Sequence, residues 1–204
     1  MSTLTAEERV TKLFEKYEPA YARDYPANGG ITYMGHALQT AELAKNSGAD
    51  EETILAALFI NVGLFSRPIS EWTKDVRYEL MKYLLIDFDG REHVADSGIC
   101  GSRYLQYFGF PKKTCELLES NTLTKNYIWT TDPTYVKNLH IDPRQKFAWQ
   151  MKLSDTAKSE FEKDPLFKEK VQLVKWGVTA ATKTKDSPPD LDTYRDMVIR
   201  NIQI

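Results

Sequence analysis

The stretch DEETILAALFINVGLF, from Asp50 to Phe65, constrains the fold more than any other, because its last twelve residues carry a single polar side chain, Asn61. Asp50 is a good N-cap, Glu51 and Glu52 place negative charge in the first turn where the helix dipole favours it, and Gly63 lies near the exit. Beyond that turn the segment is apolar all round, the pattern of a helix enclosed by other helices. At about 1.5 Å per residue it spans roughly 24 Å, the width of a small domain. A lone carboxamide in such a helix needs a partner, since burying it unpaired costs on the order of 1–3 kcal/mol.

The flanking sequence supplies the enclosing helices. Thr5 caps a short amphipathic helix to Tyr17 that carries Val10, Leu13 and Phe14, and Glu18 to Gly30, with Pro19, Pro26 and Gly29-Gly30, reads as loop. Thr32 opens a second helix with Met34, Ala37, Leu38, Ala41 and Ala44 on its apolar face, His36 near its start and Gly48 as its stop. Arg67-Pro68 ends the third, and Trp72 to Phe88 reads as a fourth through Val76, Leu80, Tyr83, Leu84 and Ile86. Further helices are expected over Ile99 to Phe108, Lys112 to Tyr127, from Asp142-Pro143 through Phe147 and Met151, Ser154 to Phe161, Pro165 to Thr182, and from Ser187-Pro188-Pro189-Asp190 to about Asn201, with a loop at Asp132-Pro133. No alternating strand pattern stands out. The expectation is an all-α bundle of about eight to ten helices forming a single domain over 1–204.

Net charge near −2 and the lack of a basic run argue against nucleic acid or an anionic membrane as partner. The longest fully apolar run, Ile54 to Ile60, is far short of the roughly 20 residues that span a bilayer, and the charged N-terminus has no signal-like apolar core. The chain therefore reads as cytoplasmic, with a small molecule as partner and a homodimer as one option for its assembly. Cys100 and Cys115 sit among apolar neighbours without metal-motif spacing, as buried free thiols do.

His36-Ala37-Leu38-Gln39-Thr40-Ala41, Gly48-Ala49-Asp50, Ala56-Ala57-Leu58-Phe59 and Val62-Gly63 together look like the first third of an HD-domain protein. Gly101-Ser102-Arg103-Tyr104-Leu105, Gly109-Phe110-Pro111, Lys125-Asn126-Tyr127-Ile128, Asp132-Pro133-Thr134-Tyr135, Phe161-Glu162-Lys163-Asp164-Pro165 and Lys175-Trp176 extend the likeness. The chain resembles the branch of the HD superfamily that contains the phosphonate-cleaving oxygenases, over roughly residues 10–182, with 183–204 as a C-terminal extension helix. The resemblance implies an HD-like helical bundle and a site where histidines and aspartates hold one or two metal ions that activate water or dioxygen.

Carried over residue by residue, the metal-binding His-Asp pair falls on Ile60 and Asn61, the further histidines on Ser97 and Asn121, and the closing acid on Gly177. Of these metal positions only His36 keeps its residue type, and Gly29 stands where the oxygenase branch commonly has a glutamate. The implied site thus holds no metal and no other cofactor. His36, Asn61 and Asn121 become the candidate catalytic residues, His36 as a hydrogen-bond donor or acid–base near neutral pH and the two amides as donors to a carbonyl oxygen. Ile60, Ser97, Lys125, Trp176, Gly177 and His140 become candidate substrate contacts. Lys125 keeps the family's lysine for an anionic group, and His140 lies where the branch has a serine near substrate. Aromatics including Tyr25, Tyr33, Phe65, Tyr104, Phe108, Tyr127, Trp129 and Trp176 would suit an apolar ligand or simply fill the core.

Three functions fit these residues. The first is a metal-independent isomerase or cyclase, including a pericyclase of the Diels–Alder type, acting on an apolar small molecule with a carbonyl or carboxylate. The second is a non-catalytic binding protein, in which His36 and Asn121 satisfy each other in a packed core. The third is a residual metal-dependent oxygenase or hydrolase, with His36, His93 and Asp155 as a facial triad. Against the third, His93 reads as part of a polar loop and Asp155 as the start of an amphipathic helix.

Overall fold

The computed structural model describes residues 4–21, 31–64, 84–86, 92–94, 96–137, 151–182 and 189–203. In chain order these form helices α1 (Ala6–Tyr21), α2 (Tyr33–Asn46) and α3 (Glu51–Leu58), a 3-10 turn over Val62–Leu64, and strands β1 (Leu84–Ile86) and β2 (Glu92–Val94). Helices α4 (Ser97–Phe108), α5 (Lys112–Glu119), α6 (Asn121–Thr131), α7 (Pro133–Lys137), α8 (Asp155–Glu162) and α9 (Phe167–Thr182) follow, then a 3-10 turn over Leu191–Tyr194 and α10 (Arg195–Asn201). The fold is an all-α helical bundle, with β1 and β2 forming one short antiparallel ladder in which Leu85 faces His93. Leu84 and Ile86 are therefore strand residues where a helix was expected, and His93 lies on a strand rather than in a loop. The rest of the expected fourth helix, the helix from Asp142-Pro143 to Phe147, and Gly29, Tyr25, Phe65 and His140 lie outside the described residues.

Helix α3 is the enclosed centre. Asp50 accepts from the backbone N–H of Thr53 at 2.9 Å, and Ile54 through Phe59 are all buried, packed by α2, α5, α9 and α10. Tyr17 of α1 donates its hydroxyl to the Leu58 carbonyl at 2.7 Å, satisfying an acceptor that the helix end leaves open. Its ring and that of Phe110 meet Phe59 edge to face, with centroids 4.9 and 5.1 Å away. The main core takes residues from Val10 of α1 to Ile202 beyond α10.

The exit of α3 departs from the pattern. The α-helix ends at Leu58, and Val62 donates to the Phe59 carbonyl at 2.9 Å and Leu64 to that of Asn61 at 3.0 Å, both tight 3-10 bonds. The cause is tertiary. A Cβ on Gly63 would lie 1.7 Å from the Ser97 carbonyl oxygen, so the chain tightens there to lie directly on the first turn of α4.

Three boundaries differ for local reasons. Thr5 and Glu8 form a reciprocal capping box (2.8 and 3.2 Å), and α1 runs on through Pro19, which falls late enough to disturb only the last turn. The expected helix from Lys112 to Tyr127 divides at Ser120, whose hydroxyl donates back to the Leu117 carbonyl at 3.1 Å. Pro133 opens the short helix α7 instead of a loop, with Asp132 accepting from the Tyr135 N–H at 2.9 Å. Met151 lies outside any helix and is exposed.

Candidate functional site

His36 sits in the first turn of α2, which Thr32 opens by accepting from the Gly35 N–H at 3.0 Å. That turn packs against α3 and α9, and His36 is 2% exposed. Its Nε2 lies 2.8 Å from the Gly177 carbonyl of α9, and its Nδ1 lies 2.8 Å from Asn61 Nδ2 beyond the end of α3. A carbonyl can only accept, so Nε2 carries the proton. Nδ1 is then a bare acceptor and takes the Asn61 amide N–H.

The geometry fixes one neutral tautomer with both ring nitrogens engaged. Burial drives the His36 pKa down to about 4; the nearby Lys125 charge pushes the same way and the Gly177 bond opposes. This runs against the expectation of an acid–base histidine near neutral pH: His36 is a neutral tie between α2, α9 and the turn that follows α3. The partner that Asn61 needs is therefore His36, and the alternative in which His36 and Asn121 satisfy each other is not what the structure shows.

Ile60 and Gly177 are fitted to each other beside this tie. A Cβ on Gly177 would stand 2.9 Å from Ile60 Cδ1 and 3.9 Å from His36 Nε2, so the glycine makes room for the isoleucine and brings its own carbonyl onto the imidazole. Trp176, next in the chain, is buried in the main core.

The other candidates gather at the start of α4. Asp96 caps it, accepting from Gly98 and Ile99 N–H groups at 2.9 and 3.1 Å. Ser97 is its first residue and half-buried. A Cβ on Gly98 would meet the Leu118 carbonyl at 2.4 Å and Asn121 Cβ at 3.3 Å, so the break between α5 and α6 seats Asn121 directly on α4. Lys125 follows one turn later on the same side of α6. Burial lowers its pKa to about 8, against the pull of the Asp96 carboxylate. Asp96 was not singled out in the sequence; its place before Ser97 as a helix cap is the signal that could have found it.

The site thus unites His36, Asn61, Ile60 and Gly177 on one side, and Ser97, Asn121, Lys125 and Asp96 on the other. Asp155 is remote from such a role, being exposed and ion-paired with Lys158 at 2.7 Å. Cys100 and Cys115 are buried free thiols, pushed up to about 11 and about 12 by burial.

No family model matches the chain. It is 31% identical to the hydroxymethylphosphonate dioxygenase of Gimesia maris over 195 residues, 95% of this chain and 88% of that protein. The chain belongs to the phosphonate dioxygenase family. Within the family it is also 25% identical over 173 residues to the (1-hydroxy-2-(trimethylamino)ethyl)phosphonate dioxygenase (glycine-betaine-forming) of Leisingera caerulea, covering 84% of this chain and 80% of that one. An uncharacterised protein of Acanthamoeba polyphaga mimivirus is 27% identical over 193 residues, covering 94% and 81%.

A dioxygenase family implies a redox metal, and the donors among the described residues do not fit one. The imidazole of His36 has its lone pair turned to an amide N–H and its other nitrogen on a carbonyl. The remaining metal positions hold an alkyl group, two amides, a hydroxyl and a glycine. Among the described residues no group of three or more His, Cys, Asp or Glu side chains is placed to hold a metal ion. No described helix is long and apolar enough to cross a membrane.

Proposed function

We propose that this member of the phosphonate dioxygenase family is a metal-independent enzyme acting on a small, largely apolar molecule that bears a carbonyl or carboxylate. Its reaction is an isomerisation, a cyclisation or a pericyclic ring closure of the Diels–Alder kind. The observation that carries this reading is the closed hydrogen bonding of His36 between Gly177 and Asn61, which commits the surviving metal position to a protein–protein role. Among the described residues near this tie, Asn121 and Ser97 are neutral hydrogen-bonding groups and Lys125 is a cation. Such groups stabilise charge that builds on a carbonyl oxygen, and holding reacting ends together lowers the barrier of a rearrangement by several kcal/mol (about 7–11 at the upper end).

A second reading, a non-catalytic small-molecule-binding protein, is favoured by the same tie. With His36 neutral and engaged, Lys125 and Asp96 are ionisable groups beside it among the described residues, and Asp96 is occupied as a helix cap. The two readings part on turnover. Candidate polyene and unsaturated-carbonyl substrates are incubated with wild type, Lys125→Met and Asn121→Leu in the presence of a chelator. The enzyme reading expects product from wild type, and a rate lower by about a hundredfold in at least one variant. Turnover insensitive to both substitutions, or abolished by the chelator and restored by iron, overturns it.

A further inference from the structure

The residues around the His36 ring are fitted to one another as well as to the imidazole. Gly177 offers its carbonyl to Nε2 at 2.8 Å, which holds the proton there and leaves Nδ1 bare for the Asn61 amide, also at 2.8 Å. Each bond is a condition of the other. Ile60 takes the room beside them, since a Cβ on Gly177 would stand 2.9 Å from its Cδ1 and 3.9 Å from His36 Cε1 and Nε2. A cation at Nε2 would have to displace both a proton and a carbonyl. At Nδ1 it would meet the positive end of an amide N–H. The ring is 2% exposed, so reaching either nitrogen means opening the contact between α2, α9 and the turn after α3.

A metal ion in a protein supplies chemistry, and it also ties together segments that are distant in the chain. The bonds of His36 do the second of these, reaching 25 residues to Asn61 and 141 to Gly177. We infer that His36, Asn61, Ile60 and Gly177 form one interlocked set that cross-links α2, α9 and the turn after α3 in place of a metal ion, and that no single substitution among them opens His36 to a metal. This deepens the proposed function and rests on it for metal independence alone. Each substitution toward a ligating side chain meets the residues left behind. Gly177→Asp drives its Cβ against the Ile60 methyl. Ile60→His leaves both nitrogens of His36 engaged. Asn61→Asp brings a carboxylate to Nδ1, but two donors fall short of the three protein ligands that a metal centre needs.

The test uses the whole chain with Zn(II), and with Fe(II) under anaerobic conditions, followed by thermal melts and by nitrogen-15 NMR of the His36 ring. In the wild type at neutral pH the ring should show a protonated Nε2 and a bare Nδ1, and neither metal should move those signals. Ile60→His, Asn61→Asp and Gly177→Asp should each leave the Tm independent of metal. Gly177→Asp should lower the Tm by about 5 °C or more, and Ile60→Ala in that background should recover about half of the loss. The cross-link has a readout of its own: Asn61→Leu should speed amide hydrogen exchange around Gly177 by about tenfold, and by more than around Val198 of α10. Metal-induced movement of the ring signals, a metal-dependent Tm in any single variant that His36→Ala abolishes, absence of recovery by Ile60→Ala, or unchanged exchange around Gly177 overturns the inference. If Gly177→Asp does not fold, the ring spectrum and the exchange measurement decide. Turnover does not enter the test, so absence of product from every candidate substrate overturns the enzyme reading and leaves the interlocked set standing.

Discussion

Asn61 Nδ2 donates to His36 Nδ1 at 2.8 Å, across 25 residues of sequence and two helices. The pair joins an imidazole on α2 to an amide in the turn after α3. The donor is an N–H, so the bond exists only while Nδ1 is bare, and it is lost when the imidazole charges.

That dependence gives a pH profile. The folded-state pKa of His36 is about 4 against 6.5 for the free residue, so between those values the unfolded chain binds the extra proton. Stability from this group is fully present above about pH 6.5 and is lost as pH falls toward 4, by on the order of 3 kcal/mol. Urea melts from pH 7.5 to 4.5 should show this slope, and His36→Gln should flatten it.

Asn61→Asp should reverse the sign. A carboxylate facing Nδ1 presents lone pair to lone pair, and the contact is relieved by protonating the ring. The His36 pKa should then rise above its usual value, read directly by NMR titration of the imidazole. A ring that still titrates near 4 in this variant would mean that the aspartate has turned away.

Gly177 and Ile60 should be coupled energetically. Alanine is favoured over glycine in mid-helix by about 1 kcal/mol, but its Cβ would press on Ile60 Cδ1 at 2.9 Å. Gly177→Ala should therefore be close to neutral in the wild type and stabilising in an Ile60→Val background, which lacks that methyl. A double-mutant cycle from denaturant melts should give a coupling of about 0.5–1 kcal/mol; strict additivity would disprove the fit.

Addition of Fe(II), Mn(II) or Zn(II) should leave the Tm unchanged at concentrations that saturate a metalloenzyme. A ligand bound a hundredfold above its Kd stabilises by about 2.7 kcal/mol, an effect easily seen in a melt.

Much of the frame was legible in the sequence because its signals are local. The Asp50 cap, the apolar run from Ile54 to Phe59 and the Thr32 and Ser154 caps act within a few residues, and each stands where the pattern put it. The exit of α3 was not legible, since Asn61 and Gly63 leave the helix for partners on α2 and α4. The break at Ser120 was hidden for the same reason: residues 112–127 read as one amphipathic helix until the Leu118 carbonyl meets Gly98. At the site, the resemblance located the positions but not their bonds. The Gly177 group that closes His36 is a backbone carbonyl, which no residue type announces.

The approach of Gly63 to Ser97 has a consequence for how the two sides of the site are spaced. With a Cβ position only 1.7 Å from the Ser97 oxygen, residue 63 tolerates hydrogen alone as a side chain. Anything larger would lever the start of α4 outward from the segment that carries Asn61. The ruler between the imidazole tie and the first turn of α4 is thus a single α-carbon, and its graduation is indifferent to which chemistry the site performs.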